Sequence, residues 1–535
     1  MDLSHDFTVT DVFCRSVTIE RVNDHRYYAQ EECTVFVDGK EWLRTDLNVI
    51  SIEGLLPDVE YEIALDGGPA KRVRTKWESF LLNVRDFGAA GDGNTLDTAA
   101  IQAAIAACPE EGTVYLPKGT YLSGPLFMKS RMTLWIGEGA VLLGDPARVH
   151  YPKLPGVVRH MQDNKKEYMI ASWEGNPLGA FASLITGIGI RDVDVIGSGT
   201  IDGNADRGDW WENVREKRGA WRPRTIFFSH CENVRMQSLT IRNSPSWTIH
   251  PYYCDHVRLL SLKIQNPEDA PNTDGLDPES CEDLWLLGSR ISVGDDCVAI
   301  KSGKLYAATY HYKKTKGIRI RNCLFEKGHG SVTVGSEIAG GVEDMHVSQC
   351  IFKGTDRGVR IKSRRGRGER SVITDIVFEN IRMERVLMPV TANMFYFCDP
   401  DGHSEYVQGQ YFMPVDYRTP KIGNLTVRDC VCTDVNASFV CAYGLPEAPI
   451  ESITLENVEA SFLPEGERVP TRPIMMDNFD KMAGMSLFVK NVKNLTCKNV
   501  TVTGDAIREP EIINVEKKDA EGLSVQSKPS RLEER

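Results

Sequence analysis

Four short stretches of this sequence bring together residue types that could do acid–base chemistry. They are Asn272-Thr273-Asp274, Gly294-Asp295-Asp296, Gly328-His329-Gly330 and Arg360-Ile361-Lys362. Any one of these aspartates reads as a turn residue, because Asp favours turns. The set reads differently. Carboxylates held close together repel, so at least one must keep its proton toward neutrality. That places an acid beside a base, as cleavage of a glycosidic bond requires: one group protonates the leaving oxygen and another activates water. Calcium binding is the other use of clustered carboxylates. From Arg357 to Arg370 seven side chains are basic (Arg357, Arg360, Lys362, Arg364, Arg365, Arg367, Arg370), and Glu369 is the only acid among them. Guanidinium and ammonium groups suit a substrate with many carboxylates, or a phosphate polymer. A solvated loop is the plain alternative, but Arg360 and Lys362 fall on a strand beside the aspartates.

Strand register must position these residues. Asp295-Asp296-Cys297-Val298-Ala299-Ile300-Lys301 aligns with His329-Gly330-Ser331-Val332-Thr333-Val334-Gly335, and both align with Asp356-Arg357-Gly358-Val359-Arg360-Ile361-Lys362. Side chains alternate along a strand. Val298, Val332 and Val359 then point inward, while Ala299, Thr333 and Arg360 point outward. Placing Leu276 in the column of Val298 puts Asp274 one coil below Asp296. Adjacent strands lie roughly 5 Å apart, so Asp274, Asp295, Asp296 and His329 should share one outer face. Gly294 must open a turn or bulge for both tandem aspartates to reach solvent. Lys301 shares the column of Lys362 and is expected to add a carboxylate contact.

These coils belong to a longer array. Short alternating strands begin at Val193, Val234, Val257, Leu284, Ile318, Met345, Ile376, Leu425, Ile453 and Leu495. Their spacing, roughly 23 to roughly 49 residues, suits a solenoid with loops of variable length. No coil could bury its apolar face alone, so a parallel β-helix is expected. Cys231, Cys254, Cys281, Cys323 and Cys350 recur at similar phase, as small buried residues in a ladder would. Cys430 and Cys432 are too few ligands for a zinc site. The glycines between Gly88 and Gly93 do not fit a phosphate loop. Asp97 reads as the N-cap of an Ala-rich helix that caps the array. Residues 8 to about 77 carry alternating strands such as Val17–Val22 and Cys33–Val37. There Leu55–Ile63 resembles the tyrosine-corner stretch of fibronectin type III domains, which implies a small β-sandwich. The expected division is a sandwich at 1–78, a β-helix at 79–515 and a charged, disordered tail at 516–535.

Composition sets outer limits. The 535 residues carry 63 Lys plus Arg against 75 Asp plus Glu, a net charge of -12. That disfavours general nucleic-acid binding. No apolar run of about 18 residues is present, so no spanning helix is expected. The first residues, Met1 to Asp6, lack the basic and apolar regions of a signal peptide. With fourteen Cys, this reads as a cytoplasmic protein with free thiols.

The four motifs, in this order and strand context, resemble the signature of polygalacturonases, glycoside hydrolase family 28. The resemblance runs from about Phe80 to Val515 and includes Asn83–Gly93, Gly197–Gly203 and Asn243–Trp247. It implies an all-β, right-handed parallel β-helix, no cofactor and no metal, and inversion at the anomeric carbon. It implies that Asp295 is the general acid, that Asp274 and Asp296 position and deprotonate water, and that His329 supports the acid's protonation. Asn272, Arg360 and Lys362 would bind substrate. The N-terminal sandwich and the insertions near Trp173–Pro177 and Asn393–Phe397 resemble those of bacterial exo-polygalacturonases. They imply removal of galacturonate from the non-reducing end of oligogalacturonates. A pectate lyase would instead need calcium carboxylates and a basic proton acceptor. Rhamnogalacturonan or xylogalacturonan hydrolysis, and a non-catalytic carbohydrate-binding solenoid, are the other readings.

Overall fold

The computed structural model describes residues 5–163 and 166–528. Met1 to Ser4, and the tail beyond Lys528, lie outside the described residues. Most of the chain winds as a parallel β-helix with three sheet faces. The first face stacks Arg191–Ile196, Glu232–Gln237, Asp255–Leu260, Glu282–Leu287, Thr315–Arg321, Val342–Ser348 and Val372–Glu379. The second stacks the short strands Thr240–Arg242, Lys263–Gln265, Arg290–Ser292, Leu324–Glu326, Ile351–Lys353 and Arg382–Glu384. The third stacks Asp296–Ile300, Gly330–Val334, Arg357–Lys362, Met388–Asn393 and Ser438–Tyr443.

An alternating strand must put one row of side chains inside, and the pairings show that row. Val234, Val257, Leu284, Ile318, Met345, Ile376, Leu425, Ile453 and Leu495 pair in one unbroken column. All are buried in a single core. The strand starts read from sequence are this column.

The corners explain the spacing. Between the first and second faces each coil turns on one left-handed residue: Ser238, Ser261, Gly288, Asn322, Gln349 and Asn380. Short polar side chains and glycine bear that conformation best. The cysteines follow such corners, and they form two ladders instead of one. Cys231, Cys254 and Cys281 follow His230, Tyr253 and Ser280, whereas Cys323 and Cys350 follow Asn322 and Gln349 at a different corner. Each coil has more than one left-handed turn, and sequence phase alone merges them. The thiols are buried, and Cys254 Sγ donates to Phe228 O of the coil below at 3.2 Å.

Two further expectations are corrected. The helix Thr98–Ala107 does cover the first coil with Ile101, Ala104 and Ile105. Asp97, however, does not cap it with its side chain. Its carboxylate accepts instead from Ala90 N at 2.7 Å and Gly91 N at 2.9 Å, pinning the glycine loop. At the other end, Glu511–Asp519 and Leu523–Lys528 pair in parallel with Met485–Asp505. The charged segment after residue 515 thus adds strands, because backbone pairing along an open edge does not require apolar side chains.

The N-terminal module has two antiparallel sheets. One holds Phe7–Val12, Ser16–Arg21 and Val49–Glu53; the other holds Lys40–Leu47, Tyr28–Val37, Glu60–Leu65 and Lys71–Arg74. They enclose one core that includes Phe7, Ile19, Val35, Ile50 and Ile63. Leu56 N donates to Tyr61 Oη at 2.9 Å, closing a corner. This sandwich leans on the first face of the β-helix, where Phe13, Cys14 and Val49 meet Ile196, Leu260 and Leu287. Arg235 fastens the seam. It donates to Asp194 Oδ1 at 2.7 Å and to Asp11 Oδ1 at 2.9 Å, and its side chain is 8% exposed. Replacing Arg235 with Leu leaves the buried Asp194 unpaired, at a cost of about 3–5 kcal/mol. Calorimetry should record a clearly lowered unfolding temperature; an unchanged melt would show that the seam does not depend on this ion pair.

Candidate active site

The third face continues downward through isolated parallel bridges. Leu276 pairs with Val298, and Ile249 pairs with Leu276. Asp296 pairs with Gly330, Val298 with Val332, and Val332 with Val359. Asp274 therefore sits one coil below Asp296, in the register expected from sequence. Gly294 makes the bend: a Cβ there would fall 2.4 Å from Ala270 O and 2.7 Å from Pro267 O. The strand begins only at Asp296, which frees Asp295 from alternation. One oxygen each of Asp274, Asp295 and Asp296 lie within 4.8 Å of one another.

Their environments differ. Asp296 is 1% exposed. Its Oδ1 accepts from Arg360 Nη1 at 2.8 Å and its Oδ2 from Lys362 Nζ at 2.9 Å. Burial alone would favour the neutral acid, but the Lys362 and Arg360 charges hold Asp296 well below the usual carboxylate range. Asp274 is also buried. Burial, then the carboxylates of Asp277 and Asp295, push it well above that range. Two neighbouring acids thus have opposite tendencies, set by which one has the cations. Asp295 is the accessible member, with 24% of its side chain exposed. Its Oδ1 lies 3.3 Å from His329 Nδ1, and His329 N donates to Asp295 O at 2.9 Å. That side-chain bond raises the basicity of His329. Arg360 and Lys362 set two positive charges against Asp296, where they would repel a divalent cation held by the trio.

Asp295, His329 and Asn272 open onto a cavity of about 950 Å³. Its walls include Trp173, Glu174, Asn176, Trp221, Phe397 and His403. Asn272 holds a left-handed backbone, and its Oδ1 accepts from Arg222 Nη2 at 2.6 Å. Lys301 does not reach the cavity as a free cation. It is 4% exposed; its Nζ lies 3.2 Å from Glu337 Oε2, 3.4 Å from Asp277 Oδ1 and 4.0 Å from Asp274 Oδ2.

The basic run is neither a solvated loop nor a polyanion surface. Arg365 is buried against Glu447 at 2.6 Å, Arg367 pairs with Asp399 at 2.8 Å, and Arg364 donates to Cys398 O at 2.6 Å. Arg357 donates to Pro473 O at 3.0 Å and Arg370 to Ala308 O at 2.6 Å. These side chains anchor loops around the site. Sequence reading missed their partners, since Glu447 and Asp399 carry no motif. It also missed Trp173 and Trp221 as a stacked wall, 5.0 Å apart with a 3° interplanar angle. The Trp173-Glu174-Gly175 insertion was the available signal. Glu337 and Glu279, buried behind Asp274, gave none.

A model of glycosyl hydrolases family 28 matches residues 163–411, and one described as rhamnogalacturonase A/epimerase, pectate lyase-like, matches residues 81–153. The chain is similar to a Vitis vinifera protein named probable polygalacturonase. The two are 30% identical over 393 residues, covering 72% of this chain and 75% of that protein. It is 25% identical over 389 residues to the exo-poly-alpha-D-galacturonosidase of Dickeya chrysanthemi, covering 65% of this chain and 62% of that protein. Proteins named endo-polygalacturonase match as well. Among solved structures, the family 28 exopolygalacturonase of Yersinia enterocolitica superposes with a TM-score of 0.67. It is 19% identical and covers 98% of each chain, a likeness of fold.

Gly330 tests the packing of the acids. A Cβ there would fall 2.6 Å from Asp296 Oδ1 and nearer still to Thr333 Oγ1. Gly330→Ala should displace Asp296 from its cations and lower kcat by roughly 100-fold, the order expected for a misplaced reacting group. The far-ultraviolet spectrum should not change. Full activity in this variant would show that the placement of Asp296 is not critical.

Proposed function

The chain belongs to glycosyl hydrolases family 28, with polygalacturonate as its substrate class, and from that premise we propose that it removes galacturonate from the non-reducing end of oligogalacturonates with inversion. The observation that carries exo action is a tie across the rim of the cavity. Lys304 N donates to Gly175 O at 2.8 Å, and Lys304 Nζ pairs with Asp399 at 2.6 Å. The two loop insertions are thereby joined through one residue beside the acids. A cavity rimmed in this way suits a chain end better than the middle of a polymer.

In this reading Asp295 is the general acid, because it alone of the three faces the cavity. His329 stabilises the carboxylate left after proton transfer. Asp296 is kept ionised by Arg360 and Lys362. Asp295 must carry a proton to act as the acid, and Asp274, which burial and its acidic neighbours dispose to hold one, must be free of it to act as a base. With the proton on Asp295, Asp274 deprotonates the water and the fixed charge of Asp296 orients it. The nearest oxygens, within 4.8 Å, are closer than the roughly 6.5–9.5 Å usual between the carboxyl groups of inverting enzymes. Inversion here therefore requires a water held against the Asp274–Asp296 edge, reaching the sugar from the side opposite Asp295. Asn272 and the remaining donors of Lys362, which has three and gives one to Asp296, are the substrate contacts in this proposal. A cytoplasmic address, with short imported oligomers as substrates, belongs to it too.

The test is product analysis on unesterified oligogalacturonates by chromatography, ultraviolet absorbance and proton NMR. Monomer and the oligomer one residue shorter should appear in equal amounts at the outset, the monomer as the β-anomer first, and Asp295→Asn should lower the rate roughly 100- to 10,000-fold. Dimers or trimers released before monomer accumulates would overturn exo action. The α-anomer would overturn inversion, and unsaturated ends would mean elimination in place of hydrolysis.

A further inference from the structure

Lys301 was expected at the substrate and is found behind the acids. Its strand continues from Asp296, and its ammonium lies among Glu337, Asp277 and Asp274, with the Trp247 ring 4.3 Å away. We propose that Lys301 is a positioning residue: shared among Glu337, Asp277 and Asp274, its ammonium sets the charge of Asp274 and does not touch substrate. This rests on the reading of Asp274 as the group that deprotonates water.

The charges around it make the case. Glu279 with His250 and Arg224 face the cluster from the coils below, Asp296 lies beyond Asp274, and Glu174 with Lys304 face it from the loops. His250 Nε2 lies 3.0 Å from Glu279 Oε2, and burial keeps its imidazole neutral. Arg224 is 3% exposed; its Nε and Nη2, both oxygens of Asp277 and Glu279 Oε1 are buried without a hydrogen-bond partner. Four acids, Glu337, Asp277, Asp274 and Glu279, therefore crowd around Lys301 and Arg224, with Lys304 beside Glu337. They cannot all be ionised in a buried space. Burial pushes Asp277 up to about 7 and Glu279 up to about 8. Glu337 is the exception: burial opposes its charge, but Lys301 and Lys304 hold it down to about 2. Glu337 and Asp274 thus compete for one ammonium. Whatever Glu337 takes from Lys301, Asp274 lacks, and Asp274 binds its proton more tightly.

The competition predicts opposite effects from two substitutions. Lys301→Met removes the ammonium that lies 4.0 Å from Asp274. The acid limb of the kcat/KM profile on oligogalacturonates should move up by about one pH unit or more, with KM changed by no more than about twofold. Glu337→Gln frees Lys301 for Asp274, and the same limb should move down. Lys301→Arg, which keeps the charge, should restore the wild-type limb if Lys301→Met does not fold. A raised KM with an unmoved limb would make Lys301 a substrate contact and overturn the proposal. So would limbs that move together in both variants. Asp274→Asn separates the premise from the proposal: if it retains activity, Asp274 is not the base, whatever Lys301 does.

Discussion

Coil lies on coil at the spacing of hydrogen-bonded strands, roughly 5 Å, and the chemistry of the site follows from that repeat. Two like charges 5 Å apart in a protein of effective dielectric about 20 repel by about 3 kcal/mol. A column of outward side chains in a parallel β-helix therefore cannot hold acids in successive coils unless cations intervene or protons stay bound. Both solutions occur here. Asp296 sits beneath Arg360 and Lys362, which arrive from the coil two steps up. Asp274, one step down, has only a share of Lys301. The same backbone ladder that fixes the acids thus fixes their unequal charges.

The interior column was legible in sequence because strand alternation and coil repetition are both periodic. Val234 through Leu495 needed no knowledge of any loop. The aspartate cluster was legible for the same reason, since Val298, Val332 and Val359 fix the rows that Asp296, Gly330 and Arg360 occupy. What was not legible lies off the ladder. Arg365 and Glu447 meet because two loops fold back on the stack, and no period connects positions 82 residues apart. The direction of the basic run was misjudged for that reason. Its residue types were right for binding carboxylates, and the carboxylates are the protein's own. Lys301 shows the limit within the ladder itself: its column was right, but Glu337 and Asp277, which claim its ammonium, could not be read from that column.

The two additions to the β-helix act on different faces. The sandwich docks on the first face through Phe13, Val49 and Arg235, away from the acids. The loop insertions stand over the third face and line the cavity. Their anchorage is ionic: Arg364 and Arg367 hold the Phe397–His403 segment, and Lys304 ties it to Gly175. Exposed pairs of this kind would contribute little. Here the cations are nearly buried, 3% and 4% exposed for Arg364 and Arg367, so each pairing is costly to break. Charge that would be wasted on an open surface is used to specify where the loops stand.

That arrangement bears on why the accessible acid is the one without a fixed cation. A group that gives up a proton in each turnover must change charge while its surroundings stay put. Asp296, clamped by two cations, is poorly suited to that, and Asp274 is shut away from the cavity. Asp295 has a single imidazole at 3.3 Å, a partner that can itself gain or lose a proton, and it meets solvent between substrates. In the proposed mechanism the clamped acid supplies a constant field, the buried acid responds to it, and the exposed acid exchanges protons with the substrate. Moving the cations by one coil would exchange these roles without altering a single carboxylate.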